Sequence, residues 1–295
     1  MRSEILRYLG HRPIPITPKR LATSQYSGDW SSPYTGKGMD FRSHRAYELG
    51  DDPRSINMPM SVRAGKRMVV ERIARRDISI FVLIDCSASM GVRHKADMLM
   101  KTALMLLYSG INMEMRIGAA LLTGNGYHSL GIGMGHRHAM RLFDRVEQAC
   151  DATRQGHELD LDLMHRGLYR FLPTGCILFY LSDFLDERGY PQPILPFSLN
   201  ITRYDFIPVV IQDEFEYSFP VLPYSSLLEL KNPETDEIQP VWFDRSECEL
   251  INRIHHGRFT SITEMFSEKG LNYVHIENPD LESVHNSLTR FFAYR

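Results

Sequence analysis

The sequence predicts an α/β protein: a doubly wound, mostly parallel sheet flanked by helices, with an irregular N-terminal segment and an inserted β-hairpin. Three observations carry this. Ile78 to Ile84 reads Ile-Ser-Ile-Phe-Val-Leu-Ile, and Cys176 to Leu181 is a second apolar run; such runs describe strands buried on both faces, as at the centre of a parallel sheet. Stretches with helical apolar spacing alternate with these runs, the pattern of βα units. Both strands also turn polar at once at their ends, in Asp85 and in Ser182-Asp183.

Taken in order, residues 1 to about 35 contain Pro13, Pro15, Pro18 and Pro33 and are expected to be irregular. Thr35-Gly36-Lys37-Gly38 lacks the spacing of a phosphate-binding loop, since Ser31 stands where its first glycine belongs. Met39 to Arg63 reads as loop-like, with a turn at Gly50-Asp51-Asp52-Pro53. There Arg45, Arg54 and Arg63 are available to pair with Asp40, Glu48 and Asp51. Met68, Val69 and Val70 suggest a strand.

After the central strand, Lys95 to Tyr108 has apolar residues three and four apart, a helix. Met115 to Leu122 is the next strand, and Asn125-Gly126 invites Tyr127 to Ile132 to fold back against it. Helices are expected over 139–149 and 160–171, followed by the Cys176 strand and another over 205–211. Residues 226–231 and 239–243 form a hairpin around Asn232-Pro233, 247–269 a helix, 272–276 a last strand and 281–292 a closing helix.

Composition is that of a globular protein, with 43% apolar and 24% charged residues. No apolar run approaches the roughly 20 residues that cross a bilayer, and the first ten residues lack a signal peptide's apolar core, so a cytoplasmic protein is expected. Cys86, Cys150, Cys176 and Cys248 have no paired spacing and read as reduced thiols. The net charge of −2 hides an asymmetry: residues 1–76 hold 15 Lys/Arg against 7 Asp/Glu, and residues 77–295 hold 19 against 29. We therefore divide the chain into a basic N-terminal segment, 1–76, packing on an acidic body, 77–295. The basic residues lie among prolines and glycines with no basic helix or aromatic platform, which argues against nucleic acid as the partner.

The loop Asp85-Cys86-Ser87-Ala88-Ser89 alternates one carboxylate with two hydroxyls. Curled round a point at the strand's end, these hard oxygens suit Mg²⁺ or Mn²⁺. Asp183 leaves its own strand in the same way, and neighbouring parallel strands would bring it to the same rim. The bland alternative is a turn in which Ser89 caps the next helix. His136 and His138 have no acidic or cysteine partner nearby in sequence and are not read as ligands.

Asp85-x-Ser87-x-Ser89, Leu181-Ser182-Asp183 and the alternating elements together resemble the von Willebrand factor A fold and its metal-ion-dependent adhesion site. More closely, residues 36–295 resemble the bacterial family called domain of unknown function 58. That likeness rests on Gly36-x-Gly38-x-x-Phe41, Arg45-x-Tyr47, Gly50-Asp51-Asp52-Pro53-Arg54-x-Ile56, Arg63, Asp85-x-Ser87-x-Ser89-Met90 and Phe291-Phe292-x-x-Arg295. The resemblance implies a non-catalytic protein-interaction module that acts with MoxR-type AAA+ ATPases in assembling or activating other proteins. It also implies that Ser87 and Ser89 bind the metal through their hydroxyls, with Asp85 and Asp183 acting directly or through water.

Two departures stand out. Ile56-Asn57-Met58 replaces the family's Ile-Asp-Trp, and Gln155-Gly156-His157-Glu158-Leu159 stands where the fold supplies a threonine ligand. An imidazole from His157 would favour Mn²⁺ or Zn²⁺ over Mg²⁺. Two other readings remain open at this point. One is a metal-free scaffold that binds an acidic partner or nucleic acid through the basic segment. The other is a hydrolase with Ser87 or Ser89 as nucleophile, His157 as base and Asp183 as orienter, although the G-x-S-x-G elbow is absent.

Overall fold

A computed structural model of the chain describes residues 2–10, 12–18, 39–48, 51, 53, 56–74, 78–123, 126–152, 172, 173, 175–186, 189–192, 204–220, 224–231 and 237–295. The chain divides into two compact units, one formed by Met1–Ala22 with Ile78–Arg295 and the other by Thr23–Asp77.

In the smaller unit, β1 (Met39–Ala46) pairs antiparallel with β2 (Met68–Ala74), and α2 (Met58–Ala64) lies between them in the chain. Residues 39–63 thus contain a strand and a helix where the sequence reads as loop-like. Pairing with a strand more than twenty residues away orders a polar sequence whose local propensity is weak. Asn57 caps α2, its side-chain oxygen accepting the Met60 amide at 3.2 Å, and Gly65 closes the helix at φ 64° in the left-handed region. Arg45 clasps Asp51 with two hydrogen bonds of 2.7 and 2.6 Å, one of the expected pairings. Arg63 is exposed, and Arg54 lies outside the described residues.

The larger unit begins with α1 (Arg2–Leu9), where the prolines led us to expect no regular structure. The prolines all follow the helix. Ile5 and Leu9 lie on one face, one turn apart, and are fully buried with Ile14 and Ile16 in the main core. The Ile14 amide donates to Ser109 Oγ at 3.2 Å, and His285 Nε2 bonds the Arg12 carbonyl at 2.9 Å. The first residues therefore belong to the acidic body rather than to the basic segment beside it in sequence.

A six-stranded sheet follows from β3 (Ser79–Asp85), β4 (Arg116–Thr123), β5 (Gly126–Gly133), β6 (Ile177–Ser182), β7 (Asp205–Ile211) and β10 (Val274–Ile276). Its order is β10-β7-β6-β3-β4-β5, parallel except for the β4–β5 edge pair. Numbered one to six along the chain, the strands read 3-2-1-4-5-6, so the order reverses between β3 and β6. This is the doubly wound, mostly parallel sheet that the sequence predicts.

The helices α3 (Lys95–Asn112), α4 (His136–Ala152), α6 (Arg245–Glu268) and α7 (Leu281–Tyr294), with a single-turn α5 (Glu214–Tyr217), complete the unit. Alternate residues of β3 serve opposite faces. Ile80, Val82 and Ile84 join the core under α1, α3, α4 and α7, whereas Phe81 and Leu83 join Ile262 and Phe266 of α6. The expected hairpin is present as β8 (Ser226–Lys231) and β9 (Ile238–Phe243). The helix expected over 160–171 lies outside the described residues. All four cysteines are buried and none is in a disulfide, and burial pushes Cys86 and Cys176 well above the ordinary thiol range. Among the described residues, no helix is long and apolar enough to cross a membrane.

Candidate metal centre

Doubly wound sheets bind ligands at the carboxyl ends of the strands where their order reverses. Here that crevice lies between the ends of β3 and β6, and the two strands deliver Asp85 and Ser182-Asp183 to it. Both carboxylates are buried, each only 2% exposed.

Local hydrogen bonds fix the rim. One oxygen of Asp85 accepts the Ser87 amide at 2.9 Å, which curls the loop back over the strand end. Its other oxygen accepts the Ser182 hydroxyl at 2.6 Å, tying the first loop to the second. Ser182 Oγ in turn accepts the Phe184 amide at 3.0 Å, and Asp183 accepts the Leu185 amide at 3.2 Å. The hydroxyls of Ser87 and Ser89 face each other at 3.1 Å. Phe184 holds a left-handed φ of 57° and Arg93 one of 51°. Outside glycine such strain is stored only where surroundings enforce it, at about 1–3 kcal/mol per residue. Phe184 is enforced by edge-to-face contacts with Tyr180 and Phe266, at 5.1 and 5.2 Å between ring centres.

A buried cation completes the cluster. Lys95, the first residue of α3, is 1% exposed at its side chain and donates to Asp183 at 3.0 Å and to Glu216 at 2.6 Å. Glu216 is held by its own turn, where it accepts the Asp213 amide at 3.2 Å while Asp213 accepts the Phe215 amide at 3.1 Å. Arg93 bonds Asp213 at 2.8 Å and lies over the Phe215 ring at 3.6 Å.

The electrostatics follow from this inventory. Burial, and next the charge of Asp183, raise the Asp85 carboxyl to about 6, although hydrogen bonds from Ser182 and Ser87 favour its ionised form. Burial lowers the Lys95 ammonium, but Asp183 and Glu216 outweigh it and hold the group above its ordinary value. Burial raises Glu216, with Lys95 opposing. Fully ionised, the buried Asp85 and Asp183 and the 30%-exposed Glu216 against Lys95 leave a net charge of −2. One divalent cation balances that charge.

The donors also suit such an ion chemically. They are carboxylate and hydroxyl oxygens, the hard set that Mg²⁺ and Mn²⁺ take. Octahedral Mg²⁺ with bonds near 2.1 Å sets adjacent oxygens about 3 Å apart, which matches the separation of Ser87 Oγ and Ser89 Oγ. The carboxylate contribution is thin, because among the described residues no three His, Cys, Asp or Glu side chains gather as a metal cage. Asp85, Ser87, Ser89 and Asp183 thus share one rim, whereas His157 lies outside the described residues. His138 bonds the Ile117 carbonyl at 3.1 Å instead of joining the rim.

Sequence reasoning missed Lys95, Ser182 and Glu216. A signal existed for two of them. A lysine at a helix N-terminus opposes the macrodipole and asks for a reason, and Asp213-x-x-Glu216 has capping-box spacing. Nothing local pointed to the Ser182–Asp85 bond, which only strand adjacency creates.

Known proteins resemble the chain as follows. The uncharacterized protein Rv1480 of Mycobacterium tuberculosis and its counterpart in Mycobacterium bovis are each 23% identical over 216 residues, covering 71% of this chain and 66% of theirs. Among solved structures, a von Willebrand factor type A protein from Catenulispora acidiphila aligns with a TM-score of 0.38 and 11% identity, over 76% of this chain and 44% of its own. Proximal thread matrix protein 1 of the mussel byssus scores 0.34 at 12% identity, over 45% and 38%. The pilus adhesin SpaC of Lactobacillus rhamnosus GG scores 0.37 at 12% identity, over 73% and 30%. A family model described as "Protein of unknown function DUF58" matches residues 43–257, from β1 to within α6. With nearly three-quarters of its length inside that match, including the whole Asp85–Asp183 rim, the chain belongs to the DUF58 family.

Proposed function

We propose that the chain is a non-catalytic protein-interaction module that engages its partner through a divalent ion, Mg²⁺ or Mn²⁺, at the Asp85–Asp183 rim. In this reading the Ser87 and Ser89 hydroxyls contact the ion, and Asp85 and Asp183 neutralise it directly or through water. A bound ion would accept a partner's carboxylate as a further ligand. The family likeness supports a MoxR-type AAA+ ATPase, or a protein it acts on, as the partner, in a cytoplasmic setting.

The observation that carries the reading is the pair of carboxylates, Asp85 and Asp183, buried at the reversal point of the sheet with the single ammonium of Lys95, beside two hydroxyls at 3.1 Å. Burying charge without a counter-ion is costly, so such a rim calls for a cation or a proton. The hydrolase reading is less well supported, since Ser87 and Ser89 face each other and Asp183 is engaged by Lys95 and the Leu185 amide.

Isothermal titration of chelator-stripped protein with Mg²⁺ and Mn²⁺ tests the ion, with Ser89→Ala alongside. Wild type should bind one ion and Ser89→Ala should lose most of that affinity. Equal isotherms for the two proteins would refute the site. Capture of a MoxR-type ATPase by the immobilised chain should fail in chelator and with Ser89→Ala. Capture that is steeply salt-dependent but indifferent to chelator would instead assign the contact to the basic segment.

A further inference from the structure

We propose that Lys95 is a tethered counter-ion that competes with the divalent ion for Asp183, and that it thereby sets the affinity of the rim. This rests on the metal reading above and adds to it the residue that tunes the site.

Three features lead here. First, the ammonium bridges two carboxylates, at 3.0 Å to Asp183 and 2.6 Å to Glu216. The closer partner is not a member of the Asp85-x-Ser87-x-Ser89 and Asp183 set. Lys95 therefore has an anchor it keeps when Asp183 turns to an ion. Glu216 is also the more accessible of the two, its side chain 30% exposed against 2% for Asp183.

Second, the lysine has no helical reason to be where it is. At the first position of α3 a positive charge opposes the macrodipole, and the same turn is followed by the buried Met98, Leu99 and Met100. An apolar residue would extend that face without a buried charge. The two carboxylates offset the cost, so the lysine is tied to them and not to the helix.

Third, the charge balance makes the competition consequential. With Lys95 in place the rim is short of two positive charges, which one divalent ion supplies. Without it the deficit is three, and the ion would meet an Asp183 carboxylate that no cation already satisfies. Hydrogen bonds to charged groups are strong enough that losing one competitor should tighten binding about tenfold or more.

The test is titration of chelator-stripped protein with Mn²⁺, together with melting in chelator and in Mn²⁺. It compares wild type, Lys95→Met, Glu216→Gln and Arg93→Gln. Lys95→Met should bind Mn²⁺ about tenfold tighter than wild type and gain more melting temperature from the ion, because its unpaired carboxylates then depend on it. Glu216→Gln should bind several-fold weaker, since the ammonium falls back wholly on Asp183. Arg93→Gln removes a nearby cation bonded to Asp213 and not to Asp183, and should change affinity less than about threefold.

Affinity in Lys95→Met equal to or below wild type overturns the proposal while leaving the metal site standing. Equal tightening in Arg93→Gln also overturns it, in favour of a general field. Binding in Lys95→Met alone supports it. Binding in neither protein removes the metal reading and the proposal together. Should Lys95→Met fail to fold, Glu216→Gln decides, and unchanged or tighter binding there overturns the proposal.

Discussion

Asp85→Asn should stabilise the protein in chelator and weaken it relative to wild type in saturating divalent ion. Ionising Asp85 in the folded state is unfavourable: burial and Asp183 raise its carboxyl from 3.8 to about 6. That difference corresponds to about 3 kcal/mol of lost stability at neutral pH, at roughly 1.4 kcal/mol for each pH unit. Asparagine removes the charge and keeps the shape. It also puts an NH₂ where an oxygen now accepts either the Ser87 amide or the Ser182 hydroxyl, at a cost of about 1–2 kcal/mol. The balance favours the variant by about 1–2 kcal/mol, a rise of about 3 °C in melting temperature. A divalent ion at a hundredfold excess over its dissociation constant adds about 2.7 kcal/mol to wild type and nothing to a variant that cannot hold it. The order of melting temperatures should therefore reverse between chelator and ion.

The pH dependence has a definite sign. Because the folded protein holds the Asp85 proton more tightly than the unfolded chain, this group's contribution is fully present below pH 3.8 and is lost as pH rises through about 6. The chelator advantage of Asp85→Asn should shrink as pH falls from 7.5 toward 4. Differential scanning calorimetry at several pH values reads all of this. A variant several degrees less stable than wild type in chelator at pH 7.5, or an unchanged order in Mn²⁺, would mean that the Asp85 charge is not a cost that a divalent ion relieves.

Other consequences are simpler. Leu9→Ala should cost about 2–5 kcal/mol in urea unfolding, the penalty of a core truncation, because α1 is part of the main core; a loss under 0.5 kcal/mol would detach the helix from it. Gly118→Ala should destabilise by about 1–3 kcal/mol, since its Cβ would lie 2.6 Å from Ile132 and 2.8 Å from Phe81, and near-wild-type melting would contradict that packing. None of Cys86, Cys150, Cys176 or Cys248 should react with a thiol reagent in the native protein, and all four should in denaturant.

The buried strands were legible because a run such as Ile78 to Ile84 has few other physical solutions. The β3 and β6 ends were legible for the same reason, each marked by an abrupt change from apolar to acidic. Elements whose order comes from distant partners were not. The strand Met39–Ala46 is polar and gains its structure from pairing with Met68–Ala74, and α1 is only eight residues long, with Ile5 and Leu9, one turn apart, as its buried face. At the rim, the local motif Asp85-x-Ser87-x-Ser89 could be read directly, whereas Lys95 meets Asp183 and Glu216 across 88 and 121 residues of chain. No spacing rule spans such distances, but the lysine's wrong sign for a helix start was a warning in plain view.

A crystal of the protein soaked in Mn²⁺, with the ion located by its anomalous scattering, shows directly whether the rim holds a divalent ion. One strong peak is expected at the ends of β3 and β6, bonded to Ser87 Oγ and Ser89 Oγ, with the Asp85 and Asp183 carboxylates turned to it or to its waters. A map without a peak at that rim, and with Lys95 still seated on Asp183 at saturating Mn²⁺, would contradict a metal site there.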